Sequence, residues 1–173
     1  MIETLISSKT RVKLLLKFFL NSKNNGYLRG LETEFGESSN AIRLELNKLE
    51  GAGLLTSKSQ GNKKVFQANT QHPLYSDINS ILLKFTGLDR VVDSVVNKLG
   101  DLDHAYVVGK LARGLSTDII DLVLVGNIDK NYLFRLIEKV ENPLKKRVKY
   151  SSYSLSEFDE KLLVTHYSDY LLL

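Results

Sequence analysis

Cysteine is absent from all 173 residues, which excludes a disulfide framework, a thiolate zinc site and a cysteine nucleophile. Long apolar runs are absent too. Stretches such as Leu14–Leu16, Phe18–Leu20 and Leu122–Val125 fall far short of the ~18 residues that cross a bilayer, so no membrane role is expected. Histidine is scarce, and His72, His104 and His166 stand at no spacing that holds a metal; they read as surface or turn residues, with no metal and no cofactor expected. The opening segment Met1–Thr10 carries Glu3 and lacks an apolar core followed by a small-residue cleavage site, so no secretory leader is expected and a cytoplasmic protein is. Aspartate, finally, is missing from the first 70 residues.

What is present describes a globular protein. Hydrophobic residues make up 43% and charged residues 25%, enough to bury a core, and the length suits one ordinary domain or two small ones. The net charge is +4, and its distribution is uneven. Residues 1–70 hold 11 Lys/Arg against 6 Glu, hence +5, while residues 71–173 hold 13 against 14 acids, hence −1. A basic front half joined to a neutral one is the footprint of a polyanion-binding module with a partner domain.

From Ser8 to Leu20 the apolar positions Val12, Leu15, Leu16 and Phe19 recur at helical spacing, with Arg11, Lys13 and Lys17 on the other face. Asn24-Asn25-Gly26 breaks the pattern as a turn. Residues 28–35 read as a second helix stopped by Gly36, and Ser38/Ser39 as the cap of a third, whose buried stripe is Ile42, Leu46 and Leu49. Two strands, 54–57 and 64–68, follow around a polar tip, Lys58 to Lys63, that contains Gly61. Three helices and a hairpin in this order are the winged helix-turn-helix arrangement. The run SSNAIRLELNKLEGAGLLTSKSQGNKKVF resembles the recognition helix and wing of ArsR-type regulators.

That resemblance implies double-stranded DNA as the partner, with the third helix in the major groove. With its apolar stripe buried, the helix points Ser39, Asn40, Arg43, Leu44 and Asn47 outward. Arg43 suits guanine, Asn40 or Asn47 adenine, and Leu44 a thymine methyl. Ser38 and Ser39 offer hydroxyls and backbone N–H groups to a phosphate. On the wing, Lys58, Lys63 and Lys64 supply sequence-blind affinity. Glu45 and Glu50 repel phosphate and favour the alternative, a winged helix that binds only protein.

His72-Pro73-Leu74 marks a break. Two helical stripes follow, Leu74, Ile78, Ile81, Leu82 and Phe85, then Leu88, Val91, Val92, Val95, Val96 and Leu99, separated by Gly87. They can pack within the chain or pair two copies into a homodimer, as two-fold DNA sites favour. Beyond Gly100 the order is strand 104–108, loop 109–118, strand 119–125, helix 132–140, strand 148–153 and short helix 157–163, with Tyr167, Tyr170 and Leu171–Leu173 packing an edge. The run Lys145-Lys146-Arg147, with Lys149, begins a solvated strand or extends a basic surface.

Within this half, VVGKLARGLSTDIIDLVLVG resembles the minimal polymerase-β-type nucleotidyltransferase signature at Gly109, Ala112, Arg113, Gly114, Asp121 and the strand 122–125. The family's activity needs metal ions held by carboxylates at positions i and i+2 of a strand, which share a face. Position 119, the partner of Asp121, is Ile119. Asp118 substitutes only where a bulge brings it round. Lys110 stands where the family has a small hydroxyl residue, and no third acid follows in RVKYSSY. The resemblance therefore implies a noncatalytic domain. Its loop, with Gly109, Lys110, Arg113, Gly114, Asp118 and Asp121, either binds a phosphate-bearing effector or only shapes the fold.

The sequence thus predicts an α/β (α+β) chain: a winged helix-turn-helix over 1–70, a helical connector over 71–100 and a small mixed-sheet nucleotidyltransferase-like domain over 101–173. The function expected is DNA-binding transcription regulation without catalysis. An active metal-dependent nucleotidyltransferase targeted by the winged helix is the alternative.

Overall fold

The computed structural model describes residues 2–173; Met1 and the side chain of Glu3, both in the segment read against a leader, lie outside the described residues. It divides into two compact units, up to Leu82 and from Leu83 onward. The expected connector is not a body of its own. Its first helix runs from one unit into the other, and its second belongs to the second unit.

In the first unit a short helix α1 (Ile2–Leu5) precedes α2 (Lys9–Leu15), which Ser8 caps by accepting a hydrogen bond from the Arg11 amide at 3.2 Å. Helix α2 continues as a π-helical turn over Leu16–Leu20. A π turn fits an extra residue into each circuit, and the α-helical stripe read from the sequence breaks there. All five residues of the turn are buried, including Lys17, which was expected on the solvent face. Lys17 pairs there with Glu34 at 2.9 Å. The widened turn has its carbonyls occupied from outside, Lys17 O by Asn24 Nδ2 (3.0 Å) and Phe19 O by Asn79 Nδ2 (2.7 Å).

Strand β1 (Asn25–Tyr27) occupies the segment expected as a turn. Three residues are too few to show alternation, and their pairing partner lies forty residues further along. Helix α3 (Leu28–Phe35) ends at Gly36, and α4 (Ser39–Gly51) is capped by Ser38, whose Oγ accepts from the Ala41 amide at 3.3 Å. Ile42, Leu46 and Leu49 form its buried stripe as expected, joined by Glu45. Strands β2 (Leu55–Gln60) and β3 (Lys63–Ala68) make the wing, longer than the sequence suggested. Gln60 pairs with Lys63 across a two-residue turn, Gly61-Asn62. Gly61 takes φ 60°, the positive value that a type II′ hairpin requires at its first loop position. The sheet order is β1-β3-β2, all antiparallel. Phe18, Phe19, Leu31, Ile42 and Leu46 lie at its fully buried centre.

Helix α5 (Tyr75–Thr86) crosses the boundary between the units. Of its expected stripe Leu82 is buried, whereas Leu74 and Ile81 are about half exposed. In the second unit α6 (Leu88–Ser94) and a 3-10 turn (Val96–Lys98) bury Leu88, Val91, Val95 and Leu99. Then come β4 (Leu102–Val108), a four-residue helix α7 (Gly109–Ala112) within the expected loop, β5 (Ile119–Gly126), α8 (Lys130–Leu144), β6 (Arg147–Tyr153), α9 (Glu160–His166) and β7 (Tyr170–Leu172). Helix α9 begins three residues later than predicted because Asp159 supplies its cap, accepting from the Lys161 amide at 2.9 Å.

The second sheet has the order β6-β5-β4-β7. Strands β5 and β6 run parallel, with α8 as the crossover that parallel strands require, and the other pairs are antiparallel. One face carries Tyr106, Val108, Val123 and Val125 and is covered by Leu163 of α9, with Tyr153, Phe158, Tyr167 and Tyr170 around them. By alternation Ile120, Leu122 and Leu124, all buried, point to the other face. The expected edge packing of Tyr167 and Tyr170 is present; Leu172 is mostly exposed. The chain is an α/β protein of two sheets, the first unit in winged-helix order and the second a small mixed sheet. No helix among the described residues is long and apolar enough to cross a membrane.

Candidate nucleic-acid interface

The +5 charge of the front half is sorted by pairing. Arg11 donates to Glu45 at 2.7 and 3.2 Å, Lys13 pairs with Glu37 at 2.6 Å, and Lys17 pairs with Glu34. These three bridges tie one side of α2 to α3, α4 and the loop between them. Thr10 also donates its hydroxyl to Glu37. The hydrogen bonds hold the carboxyls below the usual glutamate range: Arg11 does so at Glu45 and Lys13 at Glu37. Glu50 is lowered in the same way by Lys64 (2.6 Å) and by Ser57, whose hydroxyl donates at 2.5 Å. The two glutamates expected to repel phosphate are therefore occupied. Glu45 is turned inward, only 7% exposed, and Glu50 sits at the base of the wing.

With those acids consumed, the exposed cations collect elsewhere. A groove of about 500 Å³ lies between the start of α3, the outer face of α4 and the wing, and among the described residues lining it none is acidic. Arg43 and Asn47 reach it from α4, Lys63 and Lys64 from β3 and Arg29 from α3. Of the residues expected at a DNA site, the structure brings together Arg43, Asn47, Lys63 and Lys64. Asn40 and Leu44 are exposed on α4, and Lys58 is exposed on β2, outside the groove lining.

Three of the expected side chains are engaged within the protein. Ser39 is half-buried and donates its hydroxyl to Glu32, which ties α4 to α3. Lys64 is partly neutralised by Glu50 at 2.6 Å, leaving less charge to offer than its exposure suggests; it also lies over the Phe66 ring at 5.0 Å. The hydroxyl of Ser38 is likewise engaged, as the α4 cap. Arg29 and Tyr27 were missed. The only sequence signal for Arg29 was its charge, because the groove forms from segments that meet only in three dimensions.

The loop of the second unit is less convergent. Gly109 lies against Asp121, whose Oδ2 would be 3.1 Å from a Cβ at position 109. Lys110 on α7 and Arg113 just after it are exposed, and Gly114 is buried, its amide donating to Leu111 O at 2.9 Å. Asp118 is exposed just before β5, its carbonyl accepting from the Arg147 amide at 2.9 Å. From Ile119 to Val125 the register with β6 runs unbroken. The bulge that would bring Asp118 beside Asp121 does not form, and strand alternation places Asp121 on the face of Val123. The residue paired with Asp121 across β6 is Lys149, a cation where the resemblance called for an acid.

No family model and no curated protein sequence matches this chain. Among solved structures it is similar to HlyU of Vibrio cholerae, at 13% identity and TM-score 0.39 over 49% of this chain and 83% of that one. It is also similar to the transcriptional regulator BldR of Sulfolobus solfataricus, at 16% identity and TM-score 0.37 over 56% of this chain and 70% of that one. A third likeness is to a Shewanella oneidensis complex of a tri-AMPylated HEPN toxin with an MNT antitoxin, at 15% identity and TM-score 0.34 over 49% of this chain and 66% of that one.

Proposed function

We propose that this chain is a DNA-binding transcription regulator acting as a homodimer, with a second unit that does no chemistry and serves pairing or the sensing of a phosphate-bearing ligand. One observation carries the reading. Four of the front unit's glutamates, Glu34, Glu37, Glu45 and Glu50, are spent in internal ion pairs, and an acid-free groove with Arg29, Arg43 and Lys63 is left beside the exposed face of α4. Helix α4 enters the major groove with Arg43 and Asn47 at base edges, and the wing lies on the phosphates. The half-exposed Leu74, just before α5, and Ile81 on it offer apolar surface for pairing two copies.

Fluorescence anisotropy with random-sequence duplex tests this directly. The wild-type chain binds at low salt, log affinity falls linearly with log salt, and Arg43→Ala/Lys63→Ala abolishes most of the binding. A chain with no duplex affinity at low salt sinks the proposal.

The second reading, metal-dependent nucleotidyl transfer, is favoured by the retained contact of Gly109 with Asp121. Against it stand Lys149 opposite Asp121 and Asp118 outside the strand. Magnesium-dependent transfer from a labelled nucleoside triphosphate, abolished by Asp121→Ala, would establish that reading instead.

A further inference from the structure

The two lysines that open β3 are handled differently. Lys64 lies over the Phe66 ring at 5.0 Å but also pairs with a carboxylate, Glu50, at 2.6 Å, which offsets part of its charge. Lys63 has no carboxylate partner among the described residues; its ammonium lies 4.2 Å from the centroid of the Tyr27 ring. The register explains the contact. Tyr27 of β1 pairs with Val65, and Lys63, two residues before Val65, projects from the same face toward the Tyr27 ring. The ring itself is seated on Gly30 in the first turn of α3. A Cβ there would lie 3.1 Å from ring atoms Cε1 and Cζ, which gives a reason for a glycine within a helix, where it otherwise costs stability.

An aromatic face attracts a cation through its quadrupole and leaves the charge intact. A carboxylate would hold the lysine equally still but remove what a phosphate recognises. We infer that Tyr27 is a positioning residue that holds the wing's Lys63 beside the groove, in place and still charged, for a DNA phosphate. This rests on the DNA-binding reading above. The tight Gly61-Asn62 turn next to Lys63 fixes the backbone, so the ring has only the side chain left to order.

The test compares wild type, Tyr27→Phe, Tyr27→Leu, Lys63→Ala and the Tyr27→Leu/Lys63→Ala double variant in duplex anisotropy over a salt series. Tyr27→Phe keeps the ring and binds like wild type. Tyr27→Leu binds about two- to fivefold more weakly, and the double variant binds no more weakly than Lys63→Ala alone. A Tyr27→Leu loss that persists in full on the Lys63→Ala background overturns the inference, as does a Tyr27→Phe loss equal to that of Tyr27→Leu.

NMR of the DNA-free chain gives a second readout, an upfield ring-current shift of the Lys63 ε-methylene protons. It decides the pinning on the unsubstituted chain even where Tyr27→Leu does not fold. Shifted protons without duplex binding overturn the DNA reading and the role of Tyr27 with it. Duplex binding with unshifted protons overturns the pinning alone.

Discussion

Arg11 holds Glu45 in a two-point grip, Nε to Oε2 at 2.7 Å and Nη2 to Oε1 at 3.2 Å, across 34 residues of sequence. The acid sits on the helix proposed to enter DNA, and the grip both packs α2 on α4 and keeps a negative charge away from the phosphate side. Replacing Arg11 by Met removes that grip and leaves the buried Glu45 carboxylate with the more distant, exposed Lys48 at 3.7 Å. The expected loss is about 1–2 kcal/mol, discounted because Arg11 is itself part-exposed. Urea unfolding measures it.

Acid destabilises this protein through the same glutamates. Glu37, Glu45 and Glu50 resist protonation when folded, held by Lys13, Arg11 and Lys64 respectively. In the unfolded chain they protonate near the ordinary value of about 4.3. Their folded values are depressed, so their contribution is fully present above that value and is lost as pH falls through the lowered ones. The melting temperature should hold steady on this account from pH 7 to about 5 and then fall. The fall should be shallower in Lys13→Met than in wild type.

Base contact and phosphate contact separate by their salt behaviour. Arg43→Ala should cost about 1–3 kcal/mol on a preferred duplex and flatten the preference among sequences. Lys63→Ala should weaken every duplex alike and reduce the slope of log affinity against log salt by about one. Binding selected from a random-sequence library, repeated for each variant, distinguishes the two.

The end of the β4–β5 ladder where Leu102 pairs with Gly126 has no room for a side chain at position 126. Gly126 adopts φ 151°, and a Cβ there would lie 2.2 Å from the Asp101 carbonyl oxygen, a backbone atom. Gly126→Ala should therefore destabilise the second unit by about 2 kcal/mol or more. Gly51→Ala, where nothing lies within 4 Å, serves as the control in the same denaturant titration.

Much of the front unit was legible in the sequence because α4 is regular. The 3.6-residue period of Ile42, Leu46 and Leu49 fixes which side is dry, and Arg43, Leu44 and Asn47 follow on the other. Glu45 was misread because its neutralising partner lies on another helix, and no local pattern encodes a pair 34 residues apart. Lys17 was misread because periodicity assumes a uniform helix. Strand β1 was missed because three residues carry no period, and Tyr27 with it, since its importance comes from β3 and α3 meeting around it. In the second unit the strand carrying Asp121 was placed correctly from its β-branched run. The absence of a bulge before it is set by pairing with β6 and is invisible in the strand's own residues.

The widened turn at Leu16–Leu20 has a consequence for how this unit tolerates change. A regular helix at the surface of a small protein dips only one stripe into the interior, whereas here five consecutive side chains are submerged, two phenylalanines among them. Shortening the segment by one residue would restore ordinary winding and remove one of these buried side chains from the core. Lengths of natural variants should be frozen in this stretch, even where the individual letters drift.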